Sequence, residues 1–167
     1  MHSSILPDQK RTTSLEGTKV ENILLFVHIL FAAIWLGGAV TSAILLNSAK
    51  NLEPGQARTI IQNIINLAKF VFLPMSVLVY ITGTGLISVA GYSFGEPWIS
   101  AAFAGVIISI ILGVVFHARA GRKAMAAATS DNAKELTGAL KAWRIIAYID
   151  LAIITTVLAL MVYKPGA

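Results

Sequence analysis

From Asn22 to Ala49 the chain carries no Asp, Glu, Lys or Arg, and three later stretches are nearly as free of charge. A helix rises about 1.5 Å per residue, so crossing a hydrocarbon layer of ~30 Å takes about 20 apolar residues. We place four such runs near residues 23–46, 67–90, 98–118 and 144–163. The runs are continuous rather than alternating, and an open sheet could not satisfy its edges in lipid, so they are read as helices. The expected fold is all-α: a polytopic membrane protein with a four-transmembrane-helix bundle over residues 22–167. Composition agrees, with 56% hydrophobic and 13% charged residues where a soluble domain carries about a quarter charged. Mean hydropathy is +0.76.

Residues 1–21 are polar and lack the apolar core of a signal peptide, so they read as a disordered or loosely attached tail. The first apolar run is then a true crossing. Four crossings put the tail, the 91–97 loop and the C-terminus on one side, with Lys10, Arg11, Lys19 and Lys164. The other side collects Lys50, Arg58, Lys69, Arg119, Arg122, Lys123, Lys134, Lys141 and Arg144. That asymmetry places both termini outside and the longer loops in the cytoplasm of a bacterial inner membrane. It also accounts for the net charge of +5 without nucleic acid. The chain has no cysteine, which removes disulfides, thiolate ligands and cysteine nucleophiles.

The connections carry their own signals. Pro97 is suited to open the third helix, and Pro74 should kink the second or free a carbonyl. Residues 54–66 form an interfacial lead-in to the second crossing, and Ser130 or Asp131 caps a short helix ahead of Trp143. Several Trp and Tyr residues, Trp98 and Trp143 among them, sit at interface depth, whereas Trp35 lies mid-helix.

Small residues recur at helical spacing. Ala101, Gly105, Ser109 and Gly113 line one face of the third crossing, Gly37 and Gly38 lie on the first, and Gly83 and Gly85 on the second. Such faces let helices approach closely in lipid, within a compact bundle or between copies, and equally make room for a flat cofactor.

Polar groups within crossings are costly and are the candidate functional residues: His28, His117 and Asp150. His28 and His117 lie on opposite sides of their helix midpoints, about 20 Å apart along the axis, so one iron or metal ion cannot take both. His117 and Asp150 lie at similar depth on sequential helices and form a possible polar pair, either a structural clasp or part of a proton path. For His28 the structural alternative is a hydrogen bond to Ser88 or Thr84. No HExxH, phosphate loop or nucleophile elbow is present.

"LLFVHILFAAIWLGG" at 24–38 and "LMVYKPG" at 160–166 resemble a bacterial family of predicted four-crossing membrane proteins of unknown function. That family looks distantly like the CopD copper-resistance membrane domain and the haem-dependent oxidase HemJ. The resemblance implies that His28 is a haem ligand. HemJ-like proteins also carry a lysine inside a later helix, which this chain lacks. The expected function is therefore association with haem b or a metal through His28, with membrane redox chemistry as the setting. Two other classes stay open: a non-catalytic scaffold subunit of a membrane complex, and a small transporter acting as an oligomer. The expected partners are the lipid bilayer and further copies or subunits.

Overall fold

The computed structural model describes residues 7–166, with side chains from residue 17 onward. All regular structure among them is helical. Four continuous helices carry the apolar spans: α1 at Pro7–Ala49, α2 at Pro54–Ala90, α3 at Pro97–Thr129 and α4 at Ala133–Tyr163. The portion of α1 long and apolar enough to cross is Gly17–Ala49. Of the expected tail, residues 1–6 lie outside the described residues, and α1 is already helical at Pro7.

The helices close a ring in which α1 packs on α2 and α4, and α3 packs on α4 and α2. Each of α2, α3 and α4 runs past its expected crossing at the basic end. There Leu46, Ile61, Ile64, Leu140 and Trp143 are buried together among small residues such as Ala57, Ala124 and Ala127. A middle cluster gathers Trp35, Val79, Ala102, Val106, Ile154 and Val157, and an outer one Ile87, Trp98 and Ile99.

Two helices change pitch inside their spans. Pro74 has no N–H for the carbonyl four residues earlier, and α2 adopts a π-helical turn at Ala68–Phe72 just before it. Helix α3 has a second π turn at Leu112–His117, where no proline explains it.

The ends are capped in ways that revise two expectations. Gly91 stops α2 in the left-handed conformation (φ 73°), and Pro97 opens α3 in its first turn. Asn132 caps α4, not Ser130 or Asp131: its side-chain oxygen accepts from the Glu135 N–H at 3.0 Å. Asp131 instead makes the turn itself, at φ 54°. The capped helix is also not short, because it runs unbroken through Trp143 into the fourth crossing.

The tryptophans depart from a lipid-interface belt. Trp35, Trp98 and Trp143 are 6%, 4% and 2% exposed, so all three rings fill helix–helix space. The four tyrosines, Tyr80, Tyr92, Tyr148 and Tyr163, are the exposed ones.

Candidate functional site

Between the basic-end cluster and the middle cluster lies a cavity of about 350 Å³. Every helix contributes to its wall: Trp35 and Ser42 from α1, Phe72 and Ser76 from α2, Gly113 and His117 from α3, Trp143 and Asp150 from α4. Both π turns face it. Ala68, Lys69 and Phe72 come from the first, and Gly113, Val114 and His117 from the second. The wider turn breaks the i→i+4 register, a device that recurs at functional sites.

The structure brings His117 and Asp150 together across α3 and α4. His117 Nε2 lies 3.6 Å from Asp150 Oδ2, too long for a hydrogen bond. Ser109 donates its hydroxyl to Asp150 Oδ1, and the Trp143 indole N–H donates to His117 Nδ1 at 3.1 Å. Because indole can only donate, Nδ1 must accept, and a neutral imidazole then carries its proton on Nε2. That Nε2 is buried and has no hydrogen-bond partner among the described residues. The Ser42 hydroxyl is in the same condition and its residue is only 5% exposed. Ser76, also buried at the wall, has turned its hydroxyl back to the Leu73 carbonyl at 2.9 Å. The cavity therefore holds one carboxylate served at Oδ1, with Oδ2 facing His117 Nε2 beyond hydrogen-bond reach, and two groups without a hydrogen bond, at Ser42 Oγ and His117 Nε2.

His28 is elsewhere. It lies on α1 against α2, with Nδ1 2.9 Å from the Thr82 hydroxyl rather than near Ser88 or Thr84. Thr82 gives its own proton to the Leu78 carbonyl at 2.7 Å, so the His28 ring nitrogen is the donor. Gly83 leaves the space: a Cβ there would sit 3.3 Å from His28 Cε1. The cavity beside His28 measures about 40 Å³, against ~300–1,000 Å³ for cofactor pockets. A porphyrin does not fit there. No group of three or more His, Asp or Glu that could hold a metal ion occurs among the described residues. What the residues do form is a clasp between α1 and α2. His28→Ala is expected to cost about 0.6–1.7 kcal/mol, from the average to the maximum for hydrogen bonds between membrane helices. Unfolding in detergent measures it, and protein made with ample haem is expected to show no Soret band that depends on His28.

The small residues divide by what they touch. A Cβ on Gly38 would collide with the Phe72 ring, one on Gly85 would meet Leu24, and one on Gly105 would meet Val157 and Ile153. Ser109 is buried against α4 through Asp150. Gly37 and Ala101, expected to pack, are exposed on the outside of the bundle. Gly113 has nothing within 4 Å of a Cβ position because it faces the cavity.

Sequence reasoning passed over Ser42, Ser76, Lys69 and Arg122 as site residues. Pro74 was the one available signal, since it foreshadows the π turn that carries Lys69 and Phe72. Nothing comparable marks the second π turn.

Comparison with curated proteins and with solved structures found no match. A family model described as "Predicted integral membrane protein (DUF2269)" matches residues 22–165, from the first apolar run to the end of α4 and just beyond. The match takes in the first span from Asn22 onward, the other three whole and every cavity residue named above, and the chain belongs to that family of predicted integral membrane proteins.

Proposed function

We propose that this protein binds a small molecule inside the membrane, in the cavity between its four helices. The observation that carries the reading is the pair of buried, unpartnered polar atoms, Ser42 Oγ and His117 Nε2, in one cavity of about 350 Å³. Leaving a buried polar group unsatisfied costs about 1–3 kcal/mol. A chain that served only as a scaffold would lower its energy by filling this space with apolar side chains. Here a glycine, Gly113, stands where an added Cβ would meet nothing within 4 Å. The volume lies at the small end of ligand pockets, and the wall combines apolar faces with a few polar groups, as ligand sites do.

The cavity lies toward the end of the bundle that carries most of the basic side chains. With that end in the cytoplasm and both termini outside, as the charge asymmetry favours, a ligand would reach the site from the cytoplasmic half of the membrane.

Filling the cavity tests the reading. Trp35 and Trp143 line it, so a brominated amphiphile that enters should quench their emission by contact, and Trp98, outside it, gives an unquenched background. We expect saturable quenching by ω-bromooctanoate or ω-bromooctanamide in the natural chain. Gly113→Leu should abolish the saturable phase with no loss of stability. Quenching that is unchanged in Gly113→Leu would place the probe elsewhere and remove the basis for the reading.

A further inference from the structure

We infer that the ligand is an anionic amphiphile, its acid group toward Lys69, Arg122 and His117 and its apolar body between Trp35, Phe72 and Trp143. The inference rests on the binding reading above and adds the chemical class.

Both buried groups without a hydrogen bond in the cavity can donate one. His117 offers an Nε2–H because its Nδ1 is committed to Trp143, and Ser42 offers a hydroxyl with nothing to meet. Against these stands one carboxylate on the wall, Asp150, whose Oδ1 accepts from Ser109 and whose Oδ2 lies 3.6 Å from His117 Nε2. Lys69 and Arg122, both exposed side chains, add two cations at the cavity edge. Donors and net positive charge select a group rich in acceptor oxygens, and bonds between a charged group and such oxygens are about twice as strong as neutral ones. A bare inorganic anion would leave the rings of Trp35, Phe72 and Trp143 facing water, which is why an apolar body is part of the assignment. The acid could arrive free or as the head of an anionic phospholipid. The chemistry is shared, and the experiment separates the two.

The test is the quenching titration on purified full-length protein at neutral pH, with four brominated probes. These are ω-bromooctanoate, its neutral amide, and phosphatidylglycerol and phosphatidylcholine with brominated chains. The expected result is binding of the carboxylate at least about tenfold tighter than the amide, a margin of ~1.4 kcal/mol. That preference should vanish in Lys69→Gln/Arg122→Gln, whose unfolding should match the natural chain because both side chains are exposed. Saturable quenching by brominated phosphatidylglycerol but not phosphatidylcholine, displaced by octanoate, would support the same chemistry with a lipid as its source. Equal affinity for acid and amide, or for the two lipids, would overturn the anion assignment and leave the binding reading standing. No saturable quenching by any probe would overturn both.

Discussion

Trp143→Ala is expected to destabilise the protein by about 3–5 kcal/mol, the usual cost of emptying a large aromatic site. Trp143 is among the largest fully buried side chains and joins the cluster at the basic end of the bundle to the cavity wall. Gly121 on α3 leaves room for its ring and for Ile65: a Cβ there would lie 3.1 Å from Trp143 Cη2 and 3.3 Å from Ile65 Cγ1. Truncation would also merge the vacated volume with the cavity beside it, so little collapse would relieve the loss. Trp143→Phe separates packing from hydrogen bonding. It keeps most of the ring but leaves His117 Nδ1 without its donor, at about 1–3 kcal/mol. Unfolding of both variants in detergent measures the ladder. Equal stability of Trp143→Phe and the natural chain would mean that the indole N–H contributes nothing and that the His117 tautomer is not fixed by Trp143.

Gly105→Leu is expected to lower stability by the upper end of about 1–3 kcal/mol, or to prevent assembly of the bundle. Gly105 is where α3 approaches α4 most tightly among the glycines of that face. A Cβ there would lie 2.5 Å from Val157 Cγ2 and 3.8 Å from Ile153 Cγ2. Valine in a helix holds essentially one rotamer, so it cannot swing aside, and the helices must part instead. Parting them would also stretch the reach from Ser109 to Asp150, four residues further along the same face. Gly37→Leu is the matched control, since nothing lies within 4 Å of its Cβ position and the residue is exposed. A comparable loss in Gly37→Leu would point to a second chain packed on α1.

The contrast between Gly37 and Gly38 shows what the sequence could and could not say. The apolar runs fix the number of helices because the bilayer demands a minimum length, and that demand is read directly from charge-free stretches. They do not fix how each helix is rotated about its axis. Gly37 and Gly38 are neighbours, about 100° apart on the helix, and only the rotation decides which one meets Phe72. The same freedom explains why His28 meets Thr82 rather than Thr84 or Ser88. His117 and Asp150 were legible as a pair because depth alone brings them level on consecutive helices. Their partners were not: Trp143 looked like an interface anchor until the structure showed α3 and α4 packed together below the expected crossings. Ser42 was passed over because an unpaired hydroxyl is a property of the assembled wall, not of its own helix. The π turn at Leu112–His117 has no local cause in the sequence and decides where His117 points.

One labelling experiment tests the ligand cavity most directly. The chain has no cysteine, so Gly113→Cys creates a single thiol on the cavity wall. In membrane vesicles that expose the basic face, a small charged methanethiosulfonate reagent is predicted to modify this thiol, and ω-bromooctanoate is predicted to slow the reaction. If Gly113→Cys stays unreactive while Lys123→Cys, exposed at the same end, is modified at once, the space is closed to solutes and the account of a ligand cavity is wrong.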